Sequence, residues 1–281
     1  MRLAHLILAH NNPQQLERLV KRLNHPDADV YVHLDAKAPI AEYEAIKDLP
    51  NTFFVKERVN VVWGEYSIMQ ATLNGMEEIL GNGKTYTHIN LLSGNDYPLQ
   101  NNETIHRFFF ANTGKTFMWY EPIFDDWIHG QARMNNYYLG EYGFPGRHHL
   151  ANLVNKILPK RKLPGNLTAY GRAQWLTITP ESAAYVIKYI KDNPALKRYF
   201  RMTWAVDEVF FQTILCNSPL RDTLINDFLR YVVLQPDFRP ATLTMADGAT
   251  LTSSGKFYAR KFDSNVDSKI FDYLDGAVVN K

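Results

Sequence analysis

Cysteine is nearly absent: one residue, Cys216, in 281. A lone thiol cannot pair within the chain, so no disulfide framework holds the fold, and a reducing compartment suits it. Cys216 lies in an apolar run and reads as a small buried side chain. Neither Gly-x-x-x-x-Gly-Lys nor Gly-x-Gly-x-x-Gly occurs, which removes two common phosphate-cradling loops. No His/Cys cluster has zinc spacing, and no Gly-x-Ser-x-Gly elbow is present. An excess of one charge is also missing. Lys+Arg number 31 against 29 Asp+Glu, a net charge of +2, which is too small for a nucleic-acid binder. No apolar run is long enough to span a bilayer. The short one within Met1 to His10 stops at a polar loop and carries no signal cleavage site. The expectation is a cytoplasmic protein that meets a membrane only at its surface, peripherally on the inner face.

What is present is a rhythm of strand and helix over the first hundred residues. Leu3 to Ala9 reads as a buried strand, and Pro13 to Leu23 as a helix with Leu16, Leu19, Val20 and Leu23 on one face. Val30 to Asp35 is a second strand, Ile40 to Leu49 a short helix, Thr52 to Val55 a third strand. Ser67 to Leu80 reads as a helix with Ser67 as N-cap and Gly81 beyond its end. His88 to Leu92 is a fourth strand. The order implies βαβ units and a mostly parallel sheet flanked by helices, an α/β fold. Ligands bind at the carboxyl ends of such strands, so the loops beginning at His10, Asp35 and Ser93 are expected to share one crevice. Pro180 to Lys191 and Val209 to Leu215 read as helices, and Phe228 to Asp263 as short strands and turns. The chain is read as a single domain over 1–281, with a nucleotide-binding half at 1–110 and an acceptor and catalytic half at 111–281.

Several segments suggest chemistry. Asp207-Glu208 stands between Trp204 and a run of large apolar residues, where desolvation perturbs a carboxyl group and suits a general base. The plainer alternative is that Asp207 caps the following helix and Glu208 is a first-turn acid. Asp27-Ala28-Asp29 is the only Asp-x-Asp. It precedes the second strand, at the end away from the crevice, and reads as a turn. Arg260-Lys261 can hold phosphate through charge-assisted hydrogen bonds. In an extended segment the two side chains point to opposite faces, so one reaches a ligand and the other pairs with an acid. The stretch from Phe108 to Tyr142 is rich in aromatics, which suit a sugar ring or a core. Lys160-Arg161-Lys162 reads as a solvated loop able to attract an anionic acceptor or lipid surface.

Taken in order, His33-Leu34-Asp35-Ala36-Lys37, Trp63-Gly64-Glu65-Tyr66-Ser67, Leu92-Ser93-Gly94-Asn95-Asp96-Tyr97-Pro98, Asp207-Glu208 and Ala259-Arg260-Lys261-Phe262-Asp263 resemble the core-2/I-branching β-1,6-N-acetylglucosaminyltransferases (glycosyltransferase family 14) and their xylosyltransferase relatives. The resemblance runs from near residue 4 to near 267. It implies a GT-A-like fold, inversion at the anomeric carbon, a UDP-sugar donor (UDP-GlcNAc foremost), a glycan or lipid-linked glycan acceptor, and no metal. Glu208 corresponds to the catalytic base and Lys261 to the cation that holds the diphosphate. Arg239 stands about one residue from the place of a second basic residue, with Arg260 as its alternative. Asp35, Trp63, Ser67 and Asp96 match positions beside the nucleotide or donor sugar, and His10 joins them at the first strand's end. Trp119, Glu121, Trp175 and Trp204 are the expected acceptor contacts. Gly171-Arg172 departs from the family's Gly-Ser, and the luminal cysteines of animal members are missing, as in a bacterial member acting on a surface glycan precursor. Two alternatives stay open: a metal-dependent transferase, xylosyltransferases included, using Asp96 or Asp27 and Asp29, and a non-catalytic glycan- or nucleotide-sugar-binding protein. A glycoside hydrolase is discounted, because adjacent carboxylates do not flank a bond from opposite sides.

Overall fold

The structure, a computed structural model, describes residues 1–236 and 238–279, with backbone alone for His129, Val278 and Val279. In chain order the elements are β1 (Arg2–Ala9), α1 (Pro13–Leu23), β2 (Ala28–Leu34), α2 (Glu44–Lys47), β3 (Thr52–Phe54), α3 (Tyr66–Gly81), β4 (Tyr86–Ser93), β5 (Asp96–Pro98), α4 (Asn102–Ala111) and β6 (Thr116–Pro122). They continue with α5 (Ile128–Asn135), α6 (Arg147–Ile157), β7 (Tyr170–Ile178), α7 (Pro180–Asp192), α8 (Pro194–Phe200), α9 (Phe210–Cys216), β8 (Leu224–Ile225), β9 (Arg230–Val232), α10 (Gly248–Ser253), β10 (Tyr258–Arg260) and α11 (Lys269–Val279). They fall into two compact units. One collects Met1–Val55, Thr85–Thr113 and Leu229–Lys281; the other collects Lys56–Lys84 and Gly114–Phe228.

The first unit is built on parallel strands. β1 lies between β2 and β4, β3 lies outside β2, and all these pairings are parallel. β2 is buried along its whole length and β4 for all but its last residue, as continuous apolar strands of a helix-covered parallel sheet should be. The apolar face of α1 is buried through Leu16, Leu19, Val20 and Leu23, and Asn12 caps its start by accepting from the Gln15 N–H at 3.1 Å. A small second sheet sets β10 antiparallel to β5 and parallel to β9, with Arg260 opposite Asp96. In the second unit β6 runs antiparallel to β7 and parallel to β8, with α3, α7 and α9 among its helices. The architecture is α/β with mostly parallel pairing and flanking helices, as expected.

Several local expectations are corrected. Ser67 is not the N-cap of α3; Glu65 holds that position, and the Ser67 hydroxyl instead accepts from the Val62 N–H at 2.8 Å, closing the preceding turn. Gly81 is the last helical residue rather than the one beyond. Residues 40–49 divide into a 3-10 turn, Ile40–Tyr43, and the short α2. Asp207 is not the cap of α9: it sits with Glu208 in a 3-10 turn, Val206–Glu208, and α9, with Val209 at its N-cap position, starts without a side-chain cap. Asp29 lies inside β2, fully buried, and accepts from Arg2 at 2.6 Å and from the Tyr86 hydroxyl at 2.6 Å. Arg161, expected in a solvated loop, is buried. Its guanidinium donates to the carbonyls of Asn136, Met202 and Tyr199 and covers the Tyr199 ring at 3.9 Å. A planar five-donor group satisfied this fully tolerates burial. Cys216 is buried as expected, and burial pushes its thiol up to about 12.

Candidate functional site

Two glycines shape the Glu208 region, all of it in the second unit. Gly64 has φ +75°, and a Cβ there would stand 2.9 Å from the Trp204 indole nitrogen; only glycine fits that conformation and that approach. The Gly64 carbonyl accepts from the Ala205 N–H at 2.6 Å. Ala205 is itself left-handed at φ 48°, a conformation that costs a non-glycine residue about 1 kcal/mol and collects at functional loops. The Trp63-Gly64 motif therefore holds the loop that presents Glu208. On the other side, a Cβ on Gly171 would meet Trp127 at 2.6 Å and the Glu208 carbonyl at 2.8 Å, so β7 admits the turn only because this residue has no side chain.

Glu208 is not enclosed as the sequence suggests. Its side chain keeps 33% exposure, and its Oε2 accepts from the Arg133 guanidinium, which is 15% exposed. Arg133 comes from α5, 75 residues away. It is sandwiched between aromatic rings, 4.8 Å from Trp127 and 5.1 Å from Trp204. Trp204 meets Trp63 edge-on at 5.9 Å. Beyond Trp127 the pattern repeats: Arg172 lies 5.8 Å from Trp127 and 4.5 Å from Trp119, and its Nε pairs with Glu121 at 3.4 Å. Trp119 donates its indole N–H to the same carboxylate at 3.1 Å. The result is an alternating row of indoles and guanidiniums, each guanidinium also holding a carboxylate. Stacked guanidiniums lose little freedom on pairing, so both carboxylates are held in fixed directions. Of the expected acceptor residues, Trp204, Trp119 and Glu121 belong to this row. Trp175 does not match its expected role: it is 7% exposed within β7 and belongs to the core. Trp63, expected beside the nucleotide, is exposed at 74%. Ser67 is buried and tied into the turn, its N–H donating to Glu141 at 3.1 Å.

In the first unit the strand ends converge as expected. Asp35 N–H bonds the Ala9 carbonyl at 2.8 Å and Gly94 N–H bonds the Leu8 carbonyl at 3.0 Å, so His10, Asp35 and Ser93 leave the same sheet edge. His10 is exposed there. Asp35 is buried, accepts from the Lys37 N–H at 2.9 Å, and has the Lys37 ammonium at 3.5 Å. Asp96 is 1% exposed; it accepts from the Ser93 N–H at 2.5 Å and pairs with Arg260 Nε at 3.5 Å. Burial pushes the Asp96 carboxyl upward, against the opposing pull of Arg260 and the Ser93 amide. Arg260 is thus the member of the dipeptide that pairs with an acid. Lys261 follows the strand end. The Phe262 N–H donates to the Asn95 carbonyl at 2.8 Å, which ties the segment to the loop after β4. The Leu243 N–H donates to the Lys261 carbonyl at 2.9 Å, which brings the strand-like stretch after the exposed Arg239 alongside. Among the described residues no carboxylate lies within ion-pair distance of the Lys261 ammonium.

Sequence reasoning missed Arg133, Trp127 and Arg230. Arg230 is buried, donating to Asn90 Oδ1 at 2.5 Å and to the Leu91 carbonyl at 3.0 Å. Only Arg172 left a signal, as a departure from a motif. No group of three or more His, Cys, Asp or Glu side chains able to hold a metal occurs among the described residues, and no helix among them is long and apolar enough to cross a membrane.

Residues 3–247 match the family model described as Core-2/I-Branching enzyme. The chain belongs to that family. Among curated proteins it is similar to Xylosyltransferase 2 of Rattus norvegicus, at 25% identity over 302 residues, covering 98% of this chain and 33% of the relative. Xylosyltransferase 2 of Homo sapiens is 25% identical over 303 residues with the same coverage. The chain spans about a third of the length of these curated relatives. Among solved structures, the galactosyltransferase LgtC in complex with donor and acceptor sugar analogs aligns over 98% of this chain and 95% of that one, at 11% identity and a TM-score of 0.46; a likeness so slight carries no argument. The matched residues take in four of the five ordered motifs, and Ala259–Asp263 follows them. Two of them, Trp63-Gly64 and Asp207-Glu208, are joined through the Gly64–Ala205 hydrogen bond, and two more, Asp96 and Arg260, through their ion pair.

Proposed function

We propose that this family member is an inverting, metal-independent glycosyltransferase that moves a sugar from a UDP-sugar to a glycan acceptor, with Glu208 as general base. The observation that carries the reading is the Glu208 carboxylate itself. It is partly open, fixed in direction by Arg133, and set near the exposed Trp63 ring, which packs against Trp204 and whose open face suits the C–H surface of a sugar ring. A base must reach the acceptor hydroxyl and stay oriented while the bond forms. The reaction is a single displacement. The acceptor oxygen attacks the anomeric carbon, its proton passes to Glu208, and the bond from that carbon to the diphosphate breaks. UDP leaves with an added negative charge.

Lys261 is the group proposed to meet that charge, with Arg239 on the adjoining segment and Arg260 committed to Asp96. Metal independence is supported by where the acids go: Asp29 is engaged by Arg2 and Tyr86, and Asp96 by Arg260 and Ser93. UDP-GlcNAc is the donor proposed from the motif pattern. UDP-xylose is its rival, because the curated relatives are named xylosyltransferases.

Calorimetry with UDP, UDP-GlcNAc, UDP-xylose and UDP-glucose in excess EDTA tests the donor half. Binding without metal that weakens in Lys261→Ala supports the lysine, and the tightest sugar names the donor. Binding that appears only on adding Mn²⁺ removes the metal-free reading. Binding without turnover on any acceptor leaves a sugar-binding protein instead.

A further inference from the structure

Helix α6 is held in place by polar contacts while its apolar side chains face outward. Leu150, Leu153 and Ile157 are 44%, 53% and 70% exposed. At 100° per residue they fall within one 60° sector, with Val154 beside them. Leu158 follows at 48% exposure. Meanwhile Ala151 is the buried residue of the helix. Its docking comes from hydrogen bonds: Asn155 accepts from the Tyr137 N–H at 2.7 Å and donates to the Tyr137 carbonyl at 2.9 Å. Just beyond the helix, the Arg161 N–H bonds the Asn135 carbonyl at 3.0 Å while its guanidinium is fixed to the 199–203 turn. An aliphatic row left exposed on a rigidly clasped helix is not a packing accident, because no collapse of the helix onto its neighbours can cover it.

Its surroundings name the occupant. Residues 142–180 contain no Asp or Glu, yet hold Arg147, Lys156, Lys160, Arg161, Lys162 and Arg172 with His148 and His149. Two of these cations, Arg161 and Arg172, are taken up internally; Lys156, Lys160 and Lys162 are exposed beside the aliphatic row. A short amphipathic helix with an aliphatic face, lysines at its rim and no acid of its own is the pattern of in-plane binding to a negatively charged bilayer. We propose that α6 and the lysines after it dock this protein on an anionic lipid surface. Arg161 and Asn155 tie that docking helix to α5 and to the turn before Trp204, in the unit that carries Glu208, so a docked α6 would hold that unit at the surface.

The test is sedimentation of the full chain with vesicles of phosphatidylcholine alone or with about one-third phosphatidylglycerol. Each cation near such a surface contributes roughly fivefold in affinity. The result expected is binding to the mixed vesicles at low salt, little to phosphatidylcholine, and release at molar salt. Lys156→Glu/Lys162→Glu should weaken binding by at least about tenfold, and Leu153→Glu/Ile157→Glu by a similar factor, each with an unchanged circular-dichroism spectrum. Absence of binding to the mixed vesicles overturns the proposal. So does equal binding by both variants and wild type, or a wild-type dimer in solution that Leu153→Glu/Ile157→Glu converts to monomer, which would make a second copy the occupant.

Discussion

Asp96 with Arg260 and Glu208 with Arg133 are the same chemical pair in different surroundings. Asp96 is sealed at 1% exposure, receives an added backbone amide from Ser93, and stands opposite its arginine across two paired strands. Glu208 keeps a third of its exposure and sits on a 3-10 turn after a left-handed alanine. A sealed pair is closed to a substrate, and removing one partner strands the other charge in a dry environment. An open pair stabilises little, so its worth lies in keeping one carboxylate aimed outward. The first pair ties β5 to β10, whereas the second leaves a carboxylate open, as the proposed base requires.

Substitutions separate the two. The largest effect is expected for Glu208→Gln: kcat should fall by about 10²–10⁴, some 3–5 kcal/mol of transition-state stabilisation, with an unchanged melting temperature and unchanged UDP affinity. Asp96→Ala should do the reverse, lowering the unfolding free energy by about 3 kcal/mol in urea titrations; a stable Asp96→Ala variant would erase the distinction. Lys261→Ala should weaken UDP binding by about 2 kcal/mol, roughly thirtyfold, read by calorimetry, because a charge-assisted contact is lost without burying a stranded partner. The smallest effect concerns acid stability in the first unit. His106 is buried and its pKa is lowered to about 4, first by burial and then by His25. The unfolded chain takes up that proton below about 6.5. Stability is therefore full above that value and lost as pH falls toward 4. His106→Phe should recover about 1–2 kcal/mol of the loss between pH 7 and 4.5, seen as a flatter pH dependence of the urea midpoint.

Much of the fold was legible because it rests on local rules. The apolar stripe and leading proline placed α1 at Pro13–Leu23, and the buried runs placed β1, β2 and β4 within two residues of their ends. One partner choice was legible too: the alternation of an extended segment implied that one of Arg260 and Lys261 would meet an acid. What escaped depends on contacts between distant segments. Nothing near Glu208 in sequence announces Arg133, because the pair joins α5 to a turn 75 residues later. Arg161 looked solvated because its neighbours are lysines; three carbonyl acceptors contributed by remote turns make its burial tolerable. Ser67 had the residue type of a cap, but its hydroxyl is taken by a turn that the motif's own Gly64 creates.

The most direct measurement is the turnover of Glu208→Gln at saturating UDP-sugar and acceptor, beside wild type, once calorimetry has identified a donor. A fall of at least about a hundredfold in kcat, with donor affinity and melting temperature retained, is the expected result. Turnover within about fivefold of wild type would contradict the assignment of Glu208 as the base and leave the open carboxylate without a catalytic role.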